Sequence, residues 1–454
     1  MAYLVACPMS SKPAVSQKMK KEEKKAGLAP ALKDFYEKNK IDVSDLLGDN
    51  DADDDDDNKS PFSHRFIRLN PRYDRSETLL NLTNELKDDI QPIPVPWLDE
   101  SWGFYALPGD FSIASSPCFR SGRIYGMDIS SGAGVATLLS ETYDKDPSTN
   151  ENTQSKENLR ILDLCCCPGL KLCAMADIVA NTNSTVIGVD ISENRMALCK
   201  KIVQKYHMDP ETNGASSHVE IRMYCQDGTT FGMGDDENNM NHLVFDSQVA
   251  AEEYQQRGKR KRMNKSARAR ERKRLKEAAL TDRISTTGSA ETCLTEDEQA
   301  ELVPVIKLFD RVLVDAECST DGSLKHVEKK LRESTEATNL LLTDETQLAG
   351  LVDLQKRLIA SGFRLLKPGG TLVYSTCSLS ADQNENVVQW LLEQSKDAFL
   401  IPVHFPLAKS KLVAEGSVQG TVRFLPNLAQ DSSSLFGGGF FLAKFGKKDA
   451  VKTR

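Results

Sequence analysis

Three acids and a thiol fall where short apolar runs end. Asp190 closes VIGVDIS, Asp227 follows the run ending in YCQDG, Asp315 closes VLVDAEC, and Cys377 follows VYSTCS. In an open parallel sheet, ligands bind beyond the carboxyl ends of the strands, near the point where strand order reverses. An Asp at such a position is often only a helix N-cap; four groups meeting on one rim argue for chemistry. Cys318, just beyond Asp315, adds a second thiol. A closed zinc site wants four ligands with paired short spacing, which these cysteines do not supply, and no metal site is expected. A disulfide is disfavoured in a reducing compartment. A nucleophilic thiolate beside a carboxylate remains, suited to attacking a pyrimidine ring carbon and so activating its neighbour.

The stretch Leu162 to Leu172, LDLCCCPGLKL, reads as strand, tight turn and helix start. Such a turn leaves backbone N–H groups of the first helical turn free for a ligand carrying oxygens. Asp190 follows Asp163 by 27 residues, near the offset at which an acid binds a ribose hydroxyl in a βαβ unit. The turn lacks both G-x-G-x-x-G and G-x-x-x-x-G-K-[ST], which weakens dinucleotide and NTPase readings. S-adenosylmethionine, a ribose-bearing cofactor without a pyrophosphate, fits better.

The elements that must hold these residues alternate. Strands are expected at Arg160 to Leu164, Thr185 to Asp190, Val219 to Cys225, Arg311 to Asp315 and Thr371 to Ser375. Helices are expected at Leu170 to Ala180, Asn194 to Tyr206, Thr346 to Leu366 and Asn384 to Gln394. That alternation implies an α/β fold with a doubly wound, mostly parallel sheet. TVRFLPN and GGFFLAKF near the end are expected to pair as an antiparallel hairpin.

Upstream, residues 1–60 read as a disordered leader with short helices between Leu28 and Leu47 and an acidic linker at Asp51 and Asp53 to Asp57. Residues 61–141 read as an RNA-binding-like α/β module. RFIRLN is its strand with alternating cations, a helix runs from Glu77 to Asp89, and PIPVPWL is too proline-rich for a central strand. Thr142 to Asn158 reads as a polar loop. The catalytic domain is expected over 155–446, interrupted at 235–300 by a charged, disordered insertion whose segment 257–276 holds twelve Lys and Arg. The whole-chain charge of −8 hides this split, so local patches decide polyanion binding. Eleven scattered cysteines read as reduced thiols of an intracellular protein. No apolar run of about 18 residues is present, so no membrane span is expected.

Taken together, DLCCCPGLK, GVDISENR, CQDG, VLVDAECSTDGS and LLKPGGTLVYSTCSLSADQNENVV resemble the motifs of the Nop/Sun family of S-adenosylmethionine-dependent RNA 5-methylcytosine methyltransferases. IYGMDISS resembles the segment preceding that family's cofactor loop. The likeness runs from about Arg65 to Phe445, less the insertion, and implies that the sheet has the family's seven-stranded Rossmann-like methyltransferase form. It implies that the backbone of Cys165, Cys166, Cys167, Pro168, Gly169, Leu170 and Lys171 holds the methionine portion. Asp190 would take the ribose hydroxyls, Arg195 would line the site, and Asp227 would contact the adenine end. Asp315 borders both cofactor and substrate, where the resemblance implies contact with the N3 side of the ring. Cys377 is implied as the nucleophile at cytosine C6, and Cys318 as the residue that helps adduct breakdown and release.

Two positions depart from the family pattern: Glu317 stands where Pro is usual, and Leu170 stands where a second Gly is usual. Glu317 is expected to place an anion beside the target ring, and Leu170 to remove backbone freedom at the turn. These departures keep open a catalytically inactive RNA-binding assembly factor. A small-molecule or protein methyltransferase would leave Cys318 and Cys377 without a joint role. The substrate is expected to be tRNA or rRNA, with ribosome-biogenesis or import partners engaged through the charged segments. The expected address is the nucleus or nucleolus, with cytoplasm or mitochondrion as alternatives.

Overall fold

The computed structural model describes residues 37–39, 64–87, 90–95, 98, 100–140, 143–145, 152–154, 158–180, 182–207, 219–233, 242–251, 307–323, 345–403, 413–425 and 438–449. The leader, apart from Glu37, Lys38 and Asn39, and the basic segment 257–276 lie outside these residues.

The first unit runs β1 (His64–Leu69), α1 (Arg75–Glu85), β2 (Ile93–Pro94), β3 (Phe104–Pro108), α2 (Pro117–Arg120) and β4 (Ile124–Tyr125). Its strands pair antiparallel in the order β2-β3-β1-β4. The proline-rich run contributes only the two-residue edge strand β2, because Pro cannot donate to a ladder. α1 starts where Asp74 caps it, its carboxylate accepting from the Glu77 N–H at 2.7 Å. Ile67, Leu82, Tyr105, Leu107 and Ile124 form the small core beneath. Arg68 does not belong to a displayed row of cations: it is buried and paired with Asp177 of the next unit.

α3 (Ile129–Leu139) follows and is buried on nearly every side. The stretch read as a plain polar loop contains a two-stranded antiparallel ribbon, β5 (Tyr143–Lys145) with β6 (Asn152–Gln154). Three-residue strands of polar residues carry too little periodicity to show in the sequence.

Then come β7 (Arg160–Asp163), α4 (Leu170–Ile178), β8 (Thr185–Asp190), α5 (Glu193–His207), β9 (Glu220–Cys225), β10 (Leu243–Asp246), β11 (Phe309–Asp315), α6 (Glu345–Leu365), β12 (Leu366–Thr376), α7 (Glu385–Gln394), β13 (Ala398–Ile401), β14 (Val413–Glu415), β15 (Val422–Phe424) and β16 (Phe440–Lys447). The sheet order is β10-β9-β8-β7-β11-β12-β16-β15-β14, with β13 also on β16. β9, β8, β7, β11 and β12 are mutually parallel. The ladders to β10 and around β16 are antiparallel. The mostly parallel expectation therefore describes the core, while among the described residues flanking strands bring the count to ten rather than seven. One of them, β10, lies inside the stretch assigned to the charged insertion, because LVF is too short to stand out between polar neighbours. β15 and β16 pair as the expected hairpin, Val422 opposite Leu442.

The chain runs outward from β7 to β8 and β9, then returns to lay β11 on the other side of β7. That reversal opens the crevice where ligands bind in such sheets. Ile161 and Val186 pack on one face with α3, α4 and α5. Leu162 and Val314 pack on the other with α6 and α7. Burial on both faces is why these strands read as continuous apolar runs.

Candidate active site

The turn after β7 is fixed by its neighbours. The Cys166 N–H donates to the Val189 carbonyl at 3.0 Å. Gly169 then takes φ of 105° at the N-cap of α4, a conformation only Gly adopts cheaply. A Cβ there would lie 2.6 Å from Cys199 Sγ. Leu170 is the first residue of the right-handed helix and packs against the core, so the Leu in place of a second Gly sacrifices no freedom that this turn uses. Cys165 faces one core and Cys166 and Cys167 the other. Cys199, on α5, meets Cys166 and Cys167, and their thiols pull its own titration down.

At the end of β7, Asp163 is buried and neither carboxylate oxygen has a hydrogen-bond partner among the described residues. Burial first, opposed by Lys171 and reinforced by Asp315, pushes its titration up to about 8. A carboxylate buried this deeply with so few partners can receive a cationic group. Asp190, 3% exposed, accepts from the Ser192 N–H at 3.0 Å and lies 3.5 Å from the Arg195 guanidinium. Arg195 also donates to the Cys167 carbonyl at 3.1 Å, tying the second strand's loop to the first turn. Asp227 folds its carboxylate onto its own turn, accepting from the Thr229 N–H and hydroxyl at 2.8 Å each.

The reactive groups stand across the crevice. Cys318 and Cys377 place their sulfurs 3.0 Å apart, Cys318 buried and Cys377 partly open. The contact with Cys377, and then burial, hold the Cys318 thiol well above its usual range. Asp315 accepts from the Ser375 hydroxyl at 2.7 Å and sits 2.5 Å from Lys171 Nζ. Burial pulls the Lys171 ammonium down, but Asp315 and Asp163 outweigh it, so its titration is raised. Lys171 therefore contributes its side chain to the Asp315 side of the site as well as its place in the turn. Glu317 is exposed, and its carbonyl accepts from Gln355 at 2.8 Å.

A buried polar web locks the two cysteine loops together. Asp321 accepts from the Ser319 hydroxyl at 2.6 Å and the Leu379 N–H at 3.1 Å. The Gly322 N–H donates to the Cys377 carbonyl at 2.9 Å. Gln383 accepts from the Ser319 N–H, and Asn384 accepts from Thr376 and donates to the Ser378 carbonyl. Sequence reasoning missed Asp163, Asp321, Gln383 and Asn384 as site residues. The signal was present in the dense polar spelling STDGS and STCSLSADQNEN around the cysteines.

Residues 259–446 match the family model described as 16S rRNA methyltransferase RsmB/F. Ribosomal RNA small subunit methyltransferase F of Escherichia coli O9:H4 is 33% identical over 172 residues, covering 37% of this chain and 32% of that protein. The same-named protein of Shewanella piezotolerans is 36% identical over 151 residues, covering 33% and 28%. The aligned regions thus span about a third of these relatives. Among solved structures, a methyltransferase homolog protein from Pyrococcus horikoshii superposes with a TM-score of 0.50 at 20% identity, covering 93% of this chain and all of that one. NSun6 from Pyrococcus horikoshii, solved with SFG, gives 0.51 at 16%, covering 86% and 92%. At these identities the two structures bear on the fold.

Proposed function

We propose that this chain, whose residues 259–446 match the RsmB/F methyltransferase family model, is an S-adenosylmethionine-dependent RNA cytosine-C5 methyltransferase acting on rRNA or tRNA. The 3.0 Å pairing of Cys318 with Cys377, beside Asp315, carries the reading. A small-molecule or protein methyltransferase would leave the two thiols without a joint role.

The crevice fits the cofactor. Asp163 offers an unmet buried carboxylate to the methionine ammonium, Asp190 a carboxylate to the ribose hydroxyls, and the turn from Cys165 to Lys171 its N–H groups. Arg195 braces that turn, and Asp227 stands at the adenine end. The bound cofactor supplies an electrophilic methyl group. The protein's task is to make cytosine C5 nucleophilic. Cys377 gives up its thiol proton to solvent, its Sγ bonds to C6, and the ring's 5,6 electron pair moves to C5. Asp315, held by Lys171 and Ser375, stands at the N3 side, where it passes a proton taken from solvent to N3 as negative charge develops in the ring. After methylation, C5 loses its proton, the double bond re-forms and the C6–Sγ bond breaks. Cys318, whose raised titration keeps it protonated, donates to the departing Cys377 thiolate.

The test is to incubate purified rRNA and tRNA with labelled S-adenosylmethionine and each cysteine variant. Cys377→Ala abolishes transfer, and Cys318→Ala accumulates a covalent RNA adduct. Retained activity in Cys377→Ala, with no adduct in either variant, overturns the mechanism. RNA binding without cofactor binding by calorimetry would instead favour the inactive assembly factor. The nuclear or nucleolar address is our reading of the basic segment alone, and imaging a tagged chain with and without residues 257–276 tests it.

A further inference from the structure

A cluster that the methyl-transfer scheme does not use lies behind the cofactor loop. The sulfurs of Cys166, Cys167 and Cys199 all lie within 4.8 Å of one another, and all three residues are buried. Met196 closes one side, its thioether 3.4 Å from Cys167 Sγ and 3.8 Å from Cys166 Sγ. A metal about 2.3 Å from three sulfurs in a plane holds them roughly 4 Å apart, which this cluster already approaches. The Asp190 carboxylate meets the Cys167 thiol, but no fourth Cys, His, Asp or Glu lies within 4.8 Å of all three sulfurs among the described residues. That argues against a closed tetrahedral zinc site. Soft thiolate and thioether donors at low coordination number select monovalent copper. Gly169, the N-cap of α4, lies directly against the cluster, a Cβ there falling 2.6 Å from Cys199 Sγ.

We propose that Cys166, Cys167 and Cys199, with Met196 beside them, form a binding site for monovalent copper whose occupancy is coupled to the cofactor loop. Each thiol that bonds the metal releases its proton to solvent, and no electron is transferred. Bound metal ties the turn holding Cys166 and Cys167 to α5, which carries Cys199 and the Arg195 brace. The metal site stands on its own geometry; its coupling to cofactor rests on the function proposed above.

The experiment uses the full chain carrying Cys318→Ala and Cys377→Ala, which removes the other close thiol pair. Monovalent copper is delivered anaerobically as its acetonitrile complex against the chelator bicinchoninate. One equivalent should bind, with an all-sulfur first shell by X-ray absorption. Adding Cys199→Ala should weaken binding at least about 100-fold, in line with the loss of a ligand. Should that variant fold poorly, the X-ray absorption shell of the parent decides the matter. No stoichiometric binding, nitrogen or oxygen ligands, or unchanged affinity in a folded Cys199→Ala variant overturns the site. For the coupling, copper should change S-adenosylmethionine affinity at least about tenfold, and the cofactor should change copper affinity by the same factor. Measurable cofactor binding of equal strength with and without copper overturns the coupling alone. Absence of cofactor binding in both states would count against the proposed function instead.

Discussion

Arg68 Nη1 of β1 lies 2.7 Å from Asp177 Oδ2 of α4, with both side chains sealed from solvent. Asp177 also accepts from the Tyr125 hydroxyl at 2.8 Å and faces Arg72 and His207. One carboxylate therefore clamps the N-terminal unit to the helix that leaves the cofactor turn. Removing it strands buried cations, a change that costs about 3–5 kcal/mol. Asp177→Ala should lose stability of that order in urea unfolding, while Arg357→Ala, in an exposed helix pair with Asp353, should change it little.

Acidification should loosen the same junction. Burial pushes the His207 titration down from 6.5 to about 4, and its Nδ1 accepts from Arg72 at 2.6 Å, the arrangement of a neutral ring. The unfolded chain then binds more protons than the folded one between pH 6.5 and about 4, so stability falls as pH drops through that window. The whole shift corresponds to on the order of 3 kcal/mol. Burial raises the Asp177 titration, but His207, Arg68 and Arg72 outweigh it, and its net lowering adds a loss at still lower pH. Urea midpoints measured from pH 7 to 4 should decline, and a folded His207→Gln should flatten the first part of the decline.

Gly169→Ala tests the cofactor turn. The new Cβ meets Cys199 Sγ at 2.6 Å and forces φ of 105° on a residue that resists it, with backbone strain of about 1–3 kcal/mol. Thermal melting should fall and cofactor affinity should drop in titration. Pairing it with Cys199→Ala should recover the part due to the clash and leave the part due to φ.

Gly322→Ala should separate chemistry from cofactor binding. Its Cβ would approach the Cys377 and Gly439 carbonyls at 2.7 Å, pressing on the loop that carries the proposed nucleophile. A displacement of about 1 Å at a reacting centre costs roughly 100-fold. Turnover should fall by that order while S-adenosylmethionine affinity stays within about twofold.

Cofactor binding should release a proton near neutral pH. Asp163 titrates at about 8 while its oxygens are unmet, and an ammonium placed against it would favour the ionised form. Calorimetry in buffers of different ionisation enthalpy should show proton release below pH 8 that disappears in Asp163→Asn. Equal apparent enthalpies in all buffers would remove Asp163 from the cofactor's ammonium.

Deleting residues 257–276 should flatten the salt dependence of RNA affinity, since each Lys or Arg near phosphate releases counterions. An unchanged slope in filter binding across salt concentrations would leave that segment out of the RNA interface.

The core strands were legible because parallel strands buried on both faces spell uninterrupted apolar runs. Thr185–Asp190 is bounded as read. β10 and the β5–β6 ribbon were not, since three or four residues of mixed polarity carry no period. The carboxylates and thiols at the strand ends announced a crevice, but pairings within it depend on register. Lys171 meets Asp315 only because β11 lies beside β7. Likewise, three consecutive cysteines gave no hint that a helix residue 32 positions beyond Cys167 would join two of them and exclude the third.

β16 has a consequence for synthesis. It occupies the interior of the sheet, between β12 and β15, although it is the last strand in the described chain. A nascent chain that has already made β12 and the Cys377 loop has no partner for the outer ladder of β12 until residues 440–447 emerge. During that interval Thr371 to Thr376 of β12 present an unpaired edge, the kind of surface that recruits other chains. The catalytic half of the fold therefore matures after translation has passed it, and its yield should depend on how briefly that edge is left open.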